Sequence, residues 1–320
     1  MNSEKITLSL VIPLYNEEEN IEPLLHNINN ALENYHFEII LVDDFSTDKT
    51  VNTIKTLNHP KVKLIELRKN YGQSSALAAG IDNASGEYIV TMDGDLQNDA
   101  FDIPTMHQKL LSENWDVVVG IRNNRKDSFL KRLPSKIANF LIRKATKLNI
   151  KDHGCALKIF KKNIAKELNL YGEMHRFIGL LAYLNGARVG EINVNHNRRI
   201  YGKSKYGLGR TFKVINDILL ISFQRNYLQK PLYLLGNLGI LFFAIGCIIN
   251  IYLLIEKILG NDIGDRPLLI LGVLLLLVGV QLFTTGIAID LQMRTYYETQ
   301  NTRPYKIREI TNFEHKGELL

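Results

Sequence analysis

Asp93 and Asp95 stand one residue apart in Met92-Asp93-Gly94-Asp95-Leu96-Gln97, directly after the apolar run Tyr88–Met92. Carboxylates so spaced at a strand end can converge on a hard cation. Mg²⁺ or Mn²⁺ held there would bridge them to a diphosphate. Two further polar clusters end apolar runs. One is Val11-Ile12-Pro13-Leu14-Tyr15-Asn16-Glu17, the other Leu41-Val42-Asp43-Asp44-Phe45-Ser46-Thr47-Asp48. Open α/β sheets bind ligands beyond the carboxyl ends of their strands, so the clusters predict one site on one sheet edge. There Tyr15 could stack a base, and Glu17 and Asp44 could accept hydrogen bonds from base or ribose. Asp48 reads as a turn or helix-cap residue.

The elements that must carry these residues alternate. Strand patterns cover 6–13, 37–42, 62–67, 88–92 and 117–120. Helical patterns cover 18–34, with Ile21, Leu24, Leu25, Ile28 and Leu32 on one face, and 74–83, which is rich in small residues. The expected fold class is α/β, with a mainly parallel sheet covered on both faces. The run Ile6–Leu14 reads as a buried strand, since it lacks a basic flank and a small-residue cleavage site.

Charge is divided unevenly. Residues 1–116 hold 8 Lys/Arg and 19 Asp/Glu (net −11), whereas residues 117–230 hold 24 and 6 (net +18). An acidic half suits a cation, and a basic half suits phosphate or anionic lipid. Nucleic acid is disfavoured, because the basic segment leads into apolar runs and matches no nucleic-acid motif. Residues 231–255 and 267–289 contain no Asp, Glu, Lys or Arg. Twenty-five helical residues reach about 37 Å, enough to cross a bilayer core. Lys/Arg flank the pair, and the short link at 256–266 is poorer in them, which puts both termini and the polar domain in the cytoplasm. Basic amphipathic helices are expected at about 133–148 and 207–230, lying on membrane lipid. The domain reading is a polar domain at 1–206, a juxtamembrane helix at 207–230, a transmembrane hairpin at 231–290 and a tail at 291–320. The two cysteines, Cys155 and Cys247, fall in different regions and predict no disulfide. His153, His175 and His196 are too dispersed for zinc, and Gly72-Gln73-Ser74-Ser75 builds neither a Walker A nor a G-x-G-x-x-G loop.

Together, P-x-Y-N-E, V-D-D-x-S-x-D and M-D-x-D-L-Q resemble family-2 glycosyltransferases of the GT-A fold. More narrowly, they resemble the dolichyl-phosphate-mannose-synthase-like polyprenyl-phosphate glycosyltransferases. Asp152-His153-Gly154-Cys155 with Leu157-Lys158 adds to the match, as does Arg199-Ile200-Tyr201-Gly202-Lys203-Ser204-Lys205-Tyr206. The resemblance implies that Pro13, Tyr15, Glu17, Asp44 and Asp93 bind a nucleotide sugar. It implies that Asp93, Asp95 and Gln97 hold the metal and donor diphosphate. It further suggests that Arg122, Arg199 and Lys205 meet the lipid phosphate or the diphosphate. Asn98-Asp99-Ala100 and Gly94 depart from the family pattern, which bears on the following helix start more than on the metal site.

The implied reaction is inverting transfer of a sugar to a polyprenyl phosphate. UDP-glucose and undecaprenyl phosphate are the first candidates, and GDP-mannose is the alternative donor. The product would serve cell-surface glycan modification. Asp152 is the candidate for orienting the sugar or assisting as a base. Homo-oligomers, tetramers among them, are implied for the hairpin. Trp115 is the only tryptophan and lies in no Q-x-x-R-W motif, which disfavours a processive synthase. An inactive membrane-bound nucleotide-sugar sensor or scaffold is the alternative of another class. A lipid carrier is disfavoured by spans whose strongly polar groups are only Asn237, Asn250 and Gln281.

Overall fold

In the computed structural model the chain divides into two compact units, Met1–Leu219 and Leu220–Leu320. The structure describes residues 6–122, 150–152, 154–168, 170, 172, 174–199, 231–264 and 267–299. The expected helices at 133–148 and 207–230, Lys205, and the domain boundaries at 206 and 230 lie outside them.

The first unit is built on strands β1 (Leu8–Leu14), β2 (Phe37–Asp43), β3 (Val62–Glu66), β4 (Tyr88–Thr91), β5 (Val117–Arg122), β6 (Lys158–Lys161) and β7 (Val189–Val194). Its helices are α1 (Ile21–Ala31), α2 (Thr50–Leu57), α3 (Gln73–Asp82), α4 (Asp102–Ser112), α5 (Lys162–Lys166) and α6 (Ile178–Leu184). The strands form one sheet in the order β3-β2-β1-β4-β6-β5-β7. β3, β2, β1 and β4 pair in parallel, as do β5 and β7, while β6 runs antiparallel to both its neighbours. One edge therefore receives the carboxyl ends of every strand except β6, and the start of β6. That reversal brings Asp152, Gly154 and Lys158 to the same edge as Asp93.

Both faces of the sheet are covered, which explains why β1 reads as an unbroken apolar run. Leu8, Leu10, Ile12 and Leu14 pack with Leu24 and Ile28 of α1 and with Ile103 and Met106 of α4. On the other face, Val11, Ile40 and Val42 pack with Ala76, Leu77 and Ile81 of α3. The approach of α3 is close: a Cβ on Gly80 would lie 2.3 Å from Val11 Cγ1. α1 is shorter than its periodicity suggests. Glu18–Asn20 forms a separate 3₁₀ turn, and the helix stops at Ala31.

The second unit contains α7 (Pro231–Ile258) and α8 (Pro267–Thr299). The most apolar 18-residue stretches of Pro231–Ile258 and Pro267–Met293 have mean hydropathies of 2.6 and 2.5, and both helices are long enough to cross a membrane. Glycines set their packing. A Cβ on Gly239 would lie 2.7 Å from the Gly279 carbonyl oxygen, and one on Gly246 would lie 2.9 Å from the Leu276 nitrogen. Such close backbone approach is how apolar helices associate where no hydrophobic effect separates them from solvent. α8 continues past the expected end of the span, because no Gly or Pro occurs between Gly286 and Pro304.

Candidate active site

The loops after β1 and β2 are stitched together. Asn16, with φ +52°, donates its N–H to Ser46 Oγ at 2.9 Å, and its side-chain oxygen accepts from Thr47 N at 2.7 Å. Glu17 N donates to Thr50 Oγ1 at 2.9 Å, and Asn20 Nδ2 donates to Glu17 Oε2 at 2.6 Å, so the Glu17 side chain is oriented. Asp48 Oδ1 accepts from Thr50 N at 2.9 Å, closing the turn into α2. Asp44 is buried and binds the next loop. Its oxygens accept from Tyr71 N at 2.7 Å and Gly72 N at 2.9 Å. Burial raises its pKa, against the pull of those two N–H groups.

At the end of β4, Asp93 Oδ1 accepts from Gln73 Nε2 at 2.8 Å, and Asp93 N donates to the Asn98 side chain at 3.1 Å. Enclosure and then the neighbouring Asp95 push the Asp93 pKa up to about 6, against the attraction of Lys158, Arg122 and Arg199. Asp95 Oδ1 accepts from Gln97 N at 3.2 Å, and Asp95 Oδ2 accepts from Arg199 Nη2 at 2.9 Å. The same Arg199 nitrogen lies 3.5 Å from Glu17 Oε1. Gly94 leaves room for Leu14: a Cβ there would meet Leu14 Cδ2 at 2.4 Å. The helix after the site forms despite Asn98-Asp99-Ala100, with Asp99 Oδ1 accepting from Phe101 N at 3.0 Å. Among the described residues no three His, Cys, Asp or Glu groups are arranged to hold a metal. The donor set still fits a hard divalent cation that a diphosphate helps to coordinate. Two oxygen ligands sit on adjacent carboxylates, one of them resists ionising, and the other already draws a guanidinium.

The cations come from the other half of the sheet. Arg122, at the end of β5, makes a bidentate pair with Asp152, Nε to Oδ2 at 2.7 Å and Nη2 to Oδ1 at 2.8 Å. Arg122 N and Gly154 N also donate to that carboxylate, at 3.3 and 3.1 Å. Lys158 opens β6, is 2% exposed, and donates from Nζ to the Cys155 carbonyl. Burial pushes its pKa down, while Cys155, Asp93 and Asp152 favour its charge. His175 braces the start of α3. Its backbone N–H donates to Ser74 Oγ at 3.0 Å, and its Nδ1 lies 3.0 Å from the same oxygen. Burial, then Arg176 and Lys158, lower its pKa to about 3, so it is neutral at pH 7.

Comparison with known proteins decides the family. The family model described as Glycosyl transferase family 2 matches residues 9–168. The dodecaprenyl-phosphate galacturonate synthase of Rhizobium johnstonii is 45% identical over 316 residues, covering 96% of this chain and 94% of that one. The chain belongs to glycosyl transferase family 2. The undecaprenyl-phosphate 4-deoxy-4-formamido-L-arabinose transferase of Aeromonas hydrophila is 33% identical over 318 residues, covering 97% and 96% of the two chains. Glucosyl-3-phosphoglycerate synthase from Mycobacterium tuberculosis, in complex with Mn²⁺, UDP and glucosyl-3-phosphoglycerate, matches with a TM-score of 0.54 at 16% identity. It covers 69% of this chain and 80% of that one, a likeness of fold. This is the expected GT-A architecture.

On this family-2 framework the structure brings Glu17, Asp95 and Arg199 together, and separately Arg122 and Asp152. Asp44 and Asp93 reach the same sheet edge, joined through consecutive residues Gly72 and Gln73. Pro13 is the penultimate residue of β1, and Tyr15 follows the strand. Gln97 meets Asp95 through its backbone N–H. Sequence reasoning gave no role to Gln73, although it opens a helix after a strand end. Nor did it give one to Lys158, a lone lysine heading the apolar Ile159-Phe160. The Ser74–His175 contact spans 101 residues and leaves no local sequence signal.

Proposed function

We propose that this family-2 glycosyltransferase moves a sugar from a nucleoside-diphosphate sugar to a polyprenyl phosphate at a membrane surface. The observation that carries the reading is the coupling of Asp93 and Asp95, at a strand end, to cations from the opposite half of the sheet. The relatives' names and the two apolar helices supply the lipid. The name of the 45% identical relative makes galacturonate the leading sugar, carried by UDP, with glucose next and GDP-mannose as the alternative donor. Dodecaprenyl and undecaprenyl phosphate are the acceptors to supply.

Asp93 and Asp95 would hold Mg²⁺ or Mn²⁺. Such a cation, when bound, offsets the charge of the leaving nucleoside diphosphate. Glu17 and Asp44 accept from ribose or base, and Tyr15 stacks. The acceptor is a phosphate monoester with a second pKa near 6, so at pH 7 it is largely a dianion and needs little general-base help. What it needs is screening from the donor's own phosphates. Arg122, Arg199 and Lys205 supply this, and a guanidinium can bind phosphate oxygens in bidentate fashion. One phosphate oxygen attacks the anomeric carbon as the bond to the diphosphate breaks, inverting the configuration. Asp152 accepts four hydrogen bonds already, which suits it to aim Arg122 and not to take a proton. The chain works as a multi-pass protein of the cytoplasmic membrane, with the site on the cytoplasmic side. It forms homo-oligomers through the hairpin.

The test is transfer from labelled UDP-galacturonate, UDP-glucose and GDP-mannose, separately, to undecaprenyl phosphate in detergent with Mn²⁺. A labelled lipid with one donor, lost on adding EDTA, is the expected result. Folded protein that transfers none of these sugars, or any other nucleotide sugar, would return the scaffold reading.

A further inference from the structure

We infer that Phe45 and Tyr71, with Tyr15, form an aromatic cradle for the donor nucleobase, and that Phe45 sets its affinity. The inference deepens the proposed function and rests on its nucleotide donor.

Three observations meet at Asp44. First, Phe45 is held at φ +67°. A residue with a Cβ is strained there, and glycine is the residue that occupies such a position freely. Strain of this kind persists only when its surroundings over-determine it, and it concentrates at ligand clamps. Here the pinning is complete on both sides. Asp44 N donates to the Leu14 carbonyl at 2.8 Å, Asn70 Nδ2 to the Asp44 carbonyl at 3.1 Å, and Ser46 N to Asp43 Oδ2 at 3.0 Å. Second, the strained side chain is not spent on the core: Phe45 is 50% exposed. A large apolar group kept in water by a strained backbone makes sense if a ligand covers it.

Third, the adjoining loop repeats the pattern. Tyr71 is 52% exposed, and its N–H, with that of Gly72, holds the Asp44 carboxylate. Lys69 Nζ sits 4.9 Å from the Tyr71 ring centroid. Tyr15 lies on the β1 loop, which Asn16, Ser46 and Thr47 tie to the loop of Phe45. Aromatic residues thus occupy three consecutive loops at the edge of β1, β2 and β3, around one buried carboxylate. A flat heterocycle that stacks on rings and hydrogen-bonds a carboxylate fits this chemistry. A bilayer surface is the competing occupant, which the vesicle measurement tests.

The experiment measures UDP and pyrophosphate binding by titration calorimetry, with Mn²⁺, on the full chain in detergent. The variants are Phe45→Gly, Phe45→Leu and Phe45→Trp. Phe45→Gly relieves the φ strain, so its Tm should equal or exceed that of the wild type. Its UDP Kd should rise about tenfold while pyrophosphate affinity stays unchanged, since base–aromatic stacking acts on the base alone. Phe45→Leu should lose affinity similarly, whereas Phe45→Trp should keep it and show fluorescence quenched by UDP. Unchanged UDP affinity in Phe45→Gly would overturn the cradle, and weakened vesicle binding with that result would assign Phe45 to lipid. Equal losses of UDP and pyrophosphate affinity would also overturn it. A wild type that binds no nucleoside diphosphate would overturn the proposed function first.

Discussion

The two halves of the catalytic sheet solve opposite electrostatic problems. Beyond β1, β2 and β4 the functional groups are mainly carboxylates, and Asp44 and Asp93 are held by neutral donors: Tyr71 N, Gly72 N and Gln73 Nε2. Beyond β5, β6 and β7 the groups are cations, and their partners are carboxylates or a carbonyl: Asp152 for Arg122, the Cys155 carbonyl for Lys158, Asp95 and Glu17 for Arg199. Neutral N–H groups hold these carboxylates without placing a competing cation on them. Cations held by carboxylates are aimed without being neutralised by loss of a proton. The seam between the halves is β4–β6, where Asp93 faces the field of Lys158. The antiparallel β6 makes that meeting possible.

The largest effect should come from removing a carboxylate at the seam. Asp95→Ala deletes a proposed metal oxygen ligand and the partner of Arg199. Transfer should fall by about a thousandfold or more, as loss of major electrostatic stabilisation does, and Mn²⁺ affinity measured by EPR should fall with it. Asp152→Asn comes next. Breaking a largely buried ion pair costs on the order of 3 kcal/mol, so the Tm should drop and kcat/KM should fall with Arg122 misaimed. Unchanged kcat/KM would remove Asp152 from the mechanism.

Lys158→Met tests the seam through pH. The proposed metal-holding role of Asp93 needs its carboxylate ionised, and its pKa is raised to about 6 even with the Lys158 charge lowering it. Removing that charge raises the pKa further, so the acid limb of Mn²⁺ binding should move to higher pH. For a shift of about one pKa unit the loss should be about threefold near pH 6.5, approach tenfold below pH 6 and be small at pH 8.5. The smallest effect belongs to His175→Gln. The native His175 pKa of about 3 lies below its unfolded value near 6.5, so the unfolded state binds the proton first. Wild-type stability should therefore be full above pH 6.5 and decline as pH falls from there toward 3. The variant should show a shallower decline by denaturant titration.

The two halves also differed in legibility. β1, β2 and β4 are buried on both faces, so each reads as an apolar run, and their chemistry sits in contiguous motifs at the run's end. The second half is assembled from distance. β6 is four residues long and begins with a buried lysine, a residue type that burial normally excludes. Its reversal, which places Asp152 beside Arg122, has no local signature. α2 and α4 were not among the expected elements, although Val51, Ile54 and Leu57, and Ile103, Met106 and Leu110, recur at helical spacing. In the other unit, composition was sufficient to find both helices, while the glycine contacts that pair them needed the structure.

In the proposed function the acidic half holds the donor and the basic half receives the lipid phosphate. Arg122→Lys keeps the charge and loses the bidentate fork. The deciding measurement is its UDP Kd by calorimetry beside its KM for undecaprenyl phosphate in the transfer assay. An unchanged Kd and a KM raised about tenfold are expected, because Asp152 no longer aims the charge through its bidentate pair. A weakened UDP Kd with an unchanged acceptor KM would contradict that division of roles.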